Sequence, residues 1–465
     1  MTPPLRATAI VGFGSLATLA LSVVTAKAYA ILIGPEGLGL LALMLGLVNV
    51  VMVIAWMGVP TSVIRWVAAR QAGPLDPPSV RASALTLAIV AGCVAAALLV
   101  LVRDPVASVL GSPDRGGDVV LLAVAVMAGT IGGIQIGILN GEHRVGRVTS
   151  VHVGTAIAST GAGIGLVATL GESGLAPAFA LTFAVQALIS YLFVRPMGRA
   201  RPTRAIAIGL IQEGAPIAAS QLAAAGVLLV VPLVILQTLG PDDVGQFRAA
   251  SAISTGYLSF FLAALTQDFL PRISGAKEPA RAVVLLERRM RLVMGVGVPI
   301  ILGFLAAGPW LIGALYSDEF SRAFDMLQWQ LVGDLIRLPA WVLAFVLIAR
   351  ERSAAYFGYE LSVGVLLIAT TYAGIGLAGL SGAGVAYAAT QLVMYAVVWW
   401  LVRRQLQASP GRLQLVVVVA ALVSAGILLV VADPIVRLIV FATAAVIVVV
   451  AAWPRLYRLN RSGEL

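Results

Sequence analysis

The sequence predicts an all-α polytopic membrane protein, with two six-helix repeat lobes around a central cavity and two extra C-terminal helices. Three observations predict it. The chain of 465 residues is 60% hydrophobic and only 11% charged. Its apolar runs reach the roughly 20 residues that a helix needs to cross hydrocarbon. Its basic residues gather on alternate connections, as the positive-inside rule requires. The runs are Ala, Val, Leu and Ile with scattered Gly, and the absence of alternation disfavours a β-barrel.

Taken in order, spans are expected at 9–33, 38–64, 82–102, 119–140, 150–170 and 174–195, forming an N-lobe over 1–200. Six more follow at 214–239, 245–269, 292–316, 324–349, 357–377 and 380–402, a C-lobe over 201–405. Residues 406–465 hold the extra pair, 413–432 and 434–453, and a cytoplasmic tail, which makes about 14 helices in all.

The stretch TAKAYA at 25–30 resembles a cleavage site behind an apolar run and Arg6. A secretory signal is rejected, because this span has a counterpart in the second half. The single Cys93 excludes a disulfide framework or cysteine metal cluster, and His143 and His152 cannot make a dedicated zinc site alone.

With the N-terminus placed in the cytoplasm, 24 of the 31 basic residues fall on cytoplasmic segments. The external connections carry four, Arg103, Arg115, Arg322 and Arg437, against eleven acids. Both termini are therefore expected inside. The net charge of +10 then reflects topology and contact with anionic membrane lipids, and no aromatic and basic module points to nucleic acid.

A duplication is visible in two turns. Gly34-Pro35-Glu36 aligns with Gly240-Pro241-Asp242, Leu38-Gly39 then matches Val244-Gly245, and Ser112 falls near Ser317. Each turn ends one helix at Gly-Pro and places an acid at the start of the next, where it suits the helix dipole. Repeats of six spans must point the same way through the bilayer, around an axis along its normal. Residues 195–213 are expected to link the halves. KEPARAVVLLERRMR, 277–291, reads as an amphipathic interfacial helix. Two lobes about an axis suit a transporter.

No GxxxxGK[ST] occurs, and Lys27 and Lys277 are the only lysines, so ATP hydrolysis through a phosphate-binding lysine loop is excluded. Short connections leave no soluble domain of ordinary size for an enzyme site. A channel is disfavoured by the lack of a carbonyl-filter motif or a ring of like charge. The expectation is a transporter without enzymatic activity or cofactor.

The segments LIGPEGLGLLALMLGLVNV (32–50), VGQFRAASAISTGYLSFF (244–261) and WQLVGDLIRLPAWVLAFVLIAR (329–350) resemble the Wzx-type flippases of lipid-linked oligosaccharides. These serve O-antigen units and enterobacterial common antigen, within the multidrug/oligosaccharidyl-lipid/polysaccharide exporter superfamily. The resemblance covers spans one to twelve. It implies translocation of an undecaprenyl-pyrophosphate-linked glycan from the cytoplasmic to the periplasmic leaflet of the inner membrane, by alternating access without ATP. A polysaccharide polymerase and a chain-length regulator are the implied protein partners. The pair at 413–453 departs from the twelve spans of many members and is nearer the peptidoglycan lipid II flippase branch.

A pyrophosphate bearing sugars cannot cross hydrocarbon unaided, since even one side-chain charge at the bilayer centre costs about 3 kcal/mol on insertion scales. Three basic residues fall inside spans, Lys27, Arg248 and Arg337, and each is a candidate donor to phosphate oxygens. Lys27 can instead snorkel to the outer interface, as can Arg248. Arg337 stands three residues after Asp334, so a structural ion pair is the plain alternative. Arg65, at the inner end of span two, either anchors topology or greets the pyrophosphate. Asp334 and Asp268 are candidate coupling acids, with proton or sodium undecided, though Asp268 also suits an interfacial pair with Arg272. Asn49, Gln135, Gln221, Gln237 and Gln330 are candidates for a sugar path, against a default of interhelical hydrogen bonds. Glu360 and Glu213 read as interfacial charges.

Two competing functions remain. An ion-coupled exporter of small cationic compounds would want an acidic cavity, and an intramembrane glycan polymerase or ligase would carry a long periplasmic loop. The embedded Lys27 and Arg337 favour anionic cargo, and no long loop is present.

Overall fold

The structure, a computed structural model of the chain, describes residues 3–70, 77–111, 113–194, 200–257, 278–349, 353–406, 412–431 and 436–447, with 273 and 433. Among the described residues every regular element is helical. They are α1 (Pro3–Trp56), α2 (Val59–Arg70), α3 (Pro77–Leu101), α4 (Arg103–Val109), α5 (Gly116–Gly141), α6 (Val145–Leu170), α7 (Leu175–Phe193) and α8 (Arg204–Thr238). Then come α9 (Pro241–Ser251) with a π-helical turn (Ala252–Tyr257), α10 (Pro279–Leu315), α11 (Ala323–Ala349), α12 (Ser353–Leu406), α13 (Arg412–Val430) and α14 (Val436–Ile447). Two compact units, Met1–Leu236 and Gln237–Leu465, divide the chain.

Eight helical stretches are long and apolar enough to cross a membrane, and three of them run to 46, 49 and 52 residues. Each long one holds two passes, because each bends at a glycine. Gly34 (φ 61°, ψ −167°) folds α1 on itself, and Gly240 (φ 104°, ψ 177°) makes the equivalent turn before α9. A second pair of turns repeats in the same way. Gly171 (φ 60°, ψ −139°) separates α6 from α7, and Gly379 (φ 57°, ψ −138°) bends α12. Only glycine adopts these dihedrals without strain. The duplication read from Gly34 and Gly240 therefore extends to a second turn, where Gly171-Glu172-Ser173-Gly174 matches Gly379-Leu380-Ser381-Gly382 and the last glycine of each lies against the backbone eight residues earlier.

In the first unit the core at one end is built from stripes at four-residue spacing. Val59, Val63 and Val67 of α2 meet Val80, Ala84 and Ala88 of α3, Ile134 and Ile138 of α5, and Ile206 and Leu210 of α8. Beside this core Arg81 donates to Glu142 at 3.0 Å, and Arg144 pairs with the other carboxylate oxygen at 2.8 Å. Arg144 and Arg147 also donate to the carbonyl of Phe193, the last residue of α7, so basic side chains satisfy a helix C-terminus. His143 adopts φ 55° and ends α5, with its N–H on the carbonyl of Asn140. At the other end Arg115 joins Glu172 at 2.6 Å.

In the second unit α11 packs against α12, α10 and α9. The halves of α12 meet where Gly374 faces Gly382, backbone against backbone, and a Cβ on either would strike the other. Thr370 and Thr390 link the same halves at 2.9 Å. Near the Gly240 turn Arg322 bridges Asp242 at 3.3 Å and Asp243 at 2.7 Å.

Four expectations are corrected. Span two is not one helix: positive φ at Met57 (47°) and Gly58 (74°) breaks it, and α2 starts afresh with Pro60 at its second position, where no N–H is needed. The interfacial helix expected at 277–291 is not separate, since α10 runs unbroken from Pro279 to Leu315 and buries Ala282, Leu286 and Met290 on the same stripe as Val293. Within the expected linker 195–213, residues from Arg204 onward are already helix. Arg437, counted with the external connections, is only 8% exposed and lies among helices.

The close approach inside α12 is testable. Gly382→Leu should lower the thermal unfolding midpoint of the detergent-solubilised protein by several degrees, equivalent to about 1–3 kcal/mol of overpacking. Gly376→Ala, beside open space, should leave it within a degree; equal shifts for both would contradict the packing described.

Candidate functional site

The most deeply buried polar constellation among the described residues lies in the second unit, on one face of α11. Gln330, Asp334 and Arg337 follow at helical spacing i, i+4 and i+7, so they form a polar stripe on an otherwise apolar helix. Asp334 has no exposed surface. Its two carboxylate oxygens each accept an O–H: Oδ2 from Ser254 at 2.6 Å and Oδ1 from Tyr387 at 2.7 Å. Arg337 in turn donates through Nη1 to the Tyr387 oxygen at 3.3 Å.

The local sequence builds each part. Ser251 and Ser254 project from the end of α9 and its π-helical turn, a widening of the helix that frequently marks functional positions. Gln330 donates to Ser251 at 3.0 Å, one turn of α11 before the carboxylate. Gly333 lets the Tyr387 ring lie against α11, for a Cβ there would meet the ring at 2.6 Å. Tyr387 is thus wedged beside Asp334 by the absence of a side chain next to it.

The direct ion pair weighed as the plain alternative for Asp334 and Arg337 is not formed. The two do not touch; the phenol of Tyr387 stands between them, donating to the carboxylate and accepting from the guanidinium. Charge still couples the pair through space, and Glu360 of α12 acts on Arg337 as well. Glu360 is half-buried on α12. The carboxylate of Asp334 and the guanidinium of Arg337 therefore meet through one phenol. Such a network is costly to build in a low-dielectric interior, and intramembrane ionisable residues are retained chiefly where they do work.

The remaining expected residues are spread more widely. Arg248, on α9 one turn before Ser251, is half-buried beside Tyr316. Lys27 is half-buried on α1 and Arg65 is exposed on α2, both in the first unit. Gln135 accepts from Ser190 at 2.6 Å, linking α5 to α7, and Asn49 donates to the carbonyl of Leu45 in its own helix. Gln221, Gln237 and Glu213 are exposed on α8. Asp268 lies outside the described residues, as do Pro271, Arg272 and Lys277. Tyr387 and Ser254 were missed. Ser251 and Ser254, three apart, match the polar stripe of α11 in spacing, and that was the available signal; Tyr387 left none.

Residues 29–325 match the family described as polysaccharide biosynthesis protein. The lipid III flippase of Escherichia coli (strain K12) is 25% identical over 394 residues, 82% of this chain and 94% of that protein, and the lipid III flippase of Shigella flexneri aligns equally. Among solved structures, a lipid II flippase MurJ in an inward closed conformation matches with a TM-score of 0.72 at 12% identity, covering 97% of this chain and 100% of that one. An inward-facing multidrug resistance MATE family transporter of the MOP superfamily gives 0.70 at 16% identity, with coverage of 84% and 98%. At these identities the structural likeness establishes a shared fold.

Removing the Asp334 carboxylate alone leaves two O–H donors and a buried guanidinium uncompensated, so Asp334→Ala should destabilise by about 3–5 kcal/mol. Tyr387→Phe should cost about 1–3 kcal/mol. The double change Asp334→Ala with Arg337→Ala should cost about 1–3 kcal/mol less than the two singles added. Thermal unfolding of the purified variants reads all three, and additive losses would show that the residues do not act together.

Proposed function

The chain belongs to the polysaccharide biosynthesis protein family, and from that premise we propose that it carries an undecaprenyl-pyrophosphate-linked oligosaccharide from the cytoplasmic to the periplasmic leaflet of the bacterial inner membrane. What carries the reading is the alignment with lipid III flippases over nearly their whole length. The multi-pass helical fold and the buried Asp334, Tyr387 and Arg337 network support it.

On this reading Arg337 is the phosphate-binding cation of the second unit, Arg248 is a further candidate on α9 beside Tyr316, and Lys27 and Arg65 serve the first unit. Arg337 donates to the Tyr387 phenol, which an arriving anion would displace, and the negative charge of Asp334 opposes that anion. Lowering the charge of Asp334 strengthens anion capture, so proton and cargo binding are linked in the same direction. Asp268 is kept as a second candidate acid. The lobes 1–200 and 201–405 rock about a central cavity that stays hydrated, which removes the charge penalty of crossing. Both termini lie in the cytoplasm, residues 406–465 follow the second lobe, and a polysaccharide polymerase with its chain-length regulator receives the product. Gln221 and Gln237, exposed on α8, are the remaining sugar-path candidates; Asn49, Gln135 and Gln330 are engaged in protein hydrogen bonds.

The test uses cells in which this chain is the sole flippase for a lipid-linked glycan. Depletion should leave the glycan on the cytoplasmic leaflet, and Arg337→Ala should cut surface glycan at least tenfold at unchanged membrane level. Lys27→Ala should cut it several-fold. A normal leaflet distribution after depletion would overturn the proposal, and if resistance to small cationic compounds were lost instead, the exporter reading would replace it.

A further inference from the structure

The appended helix α14 makes one contact that the repeat does not explain. α10 carries Pro309 in its interior. Proline has no N–H, so an interior proline leaves the carbonyl four residues earlier without its helical partner. For Pro309 that carbonyl belongs to Leu305, whose surroundings are dry: Leu305 has no exposed surface. An orphaned carbonyl there costs free energy unless another donor reaches it.

Arg437 of α14 reaches it. Its Nη2 donates to the Leu305 carbonyl oxygen at 3.2 Å in a buried setting. Its guanidinium lies over the ring of Phe324, 5.3 Å from the centroid. Phe324 rests on Gly308, the residue before the proline, where a Cβ would strike its ring. One turn beyond Arg437, Phe441 covers Gly303 on the preceding turn of α10, 3.4 Å from where a Cβ would stand. The start of α14 is fixed as well, since Asp433 accepts the Val436 N–H through Oδ1 at 3.1 Å and the Arg437 N–H through its carbonyl at 3.0 Å. Two glycines and a proline on α10 therefore meet two large side chains and one guanidinium directed at the vacant acceptor.

We infer that Arg437 is a positioning residue: the appended helix returns to α10 the hydrogen bond that Pro309 removes, and so holds the bend of α10 in one geometry. The pair α13 and α14 is on this account a working part of the second unit. The consequence for transport rests on the flippase reading above, whereas the consequence for the geometry of α10 does not.

The experiment is a double-mutant cycle between Arg437→Met, which keeps length and loses the donor, and Pro309→Ala, which restores the N–H. Cys93→Ser provides a cysteine-free background, and nitroxides at Val296→Cys and Ala314→Cys, both exposed on α10, report its bend by electron spin resonance distances. In the proline background Arg437→Met should broaden the distance distribution and cut glycan flux several-fold, with Arg437→Lys nearer the parent. In the Pro309→Ala background Arg437→Met should change neither. If Arg437→Met fails to accumulate alone but is rescued by Pro309→Ala, that rescue supports the inference equally. Equal broadening in both backgrounds, or none in either, would overturn it. Absence of glycan flux from the unmutated chain would sink the flippase reading and leave the distances to decide the role of Arg437.

Discussion

Hydrocarbon offers a polar group no partner, so every N–H, C=O and charge buried in this chain must find one within the protein. That single constraint accounts for most of what distinguishes one helix here from the next. Where α7 ends, Arg144 and Arg147 cover its last carbonyl. Where α10 loses an N–H to Pro309, Arg437 fills the vacancy. Where Asp334 enters the core, two hydroxyls are placed on its two oxygens. The helices are assembled from interchangeable Ala, Val, Leu and Ile; their arrangement is specified by the few places where a polar atom would otherwise stand alone.

The same constraint explains why the central cluster needs three helices. A carboxylate and a guanidinium on one helix face, three residues apart, would meet the opposite-charge rule by pairing directly. Here the phenol of Tyr387 intervenes, and it arrives from α12 through the space left by Gly333. The interposed hydroxyl keeps Arg337 from being fully committed to Asp334. A directly paired arginine would be a fastener. One held through a tyrosine keeps donors that can change partner.

The sequence made the helical class, the spans and the first repeat turn legible because they rest on local signals: apolar length, arginine placement and the Gly-Pro-acid motif at Gly34 and Gly240. The second repeat turn left a fainter signal, a Gly-x-Ser-Gly shared by 171–174 and 379–382, because small residues recur throughout an apolar chain and no proline or common acid marks it out. The basic, apolar pattern of 277–291 suggested a separate helix because amphipathicity says which face is buried and not where a helix stops, and no proline or glycine interrupts the chain between Arg281 and Leu292. Asp334 and Arg337 could be placed on one face from their spacing. Tyr387, fifty residues later, becomes their neighbour only through the packing of α12 on α11, and Arg437 passed for a loop cation because nothing near it in sequence names Leu305 as its acceptor.

The balance of charge in the second unit bears on how a carrier of anions returns empty. Arg337 donates to Tyr387, which donates to Asp334, so its guanidinium is satisfied by groups already in the protein. Under the proposed function an arriving anion would take the place of the phenol and meet the opposing charge of Asp334, so lowering that charge would favour capture. Release would follow from the reverse step: the guanidinium would return to Tyr387, and the cationic site would be withdrawn without leaving an unpaired charge in the hydrocarbon. A lone arginine would bind a pyrophosphate more tightly and, for the same reason, would give it up less readily. On the proposed function, Asp334 and the phenol beside Arg337 are what would make a binding residue into part of a cycle.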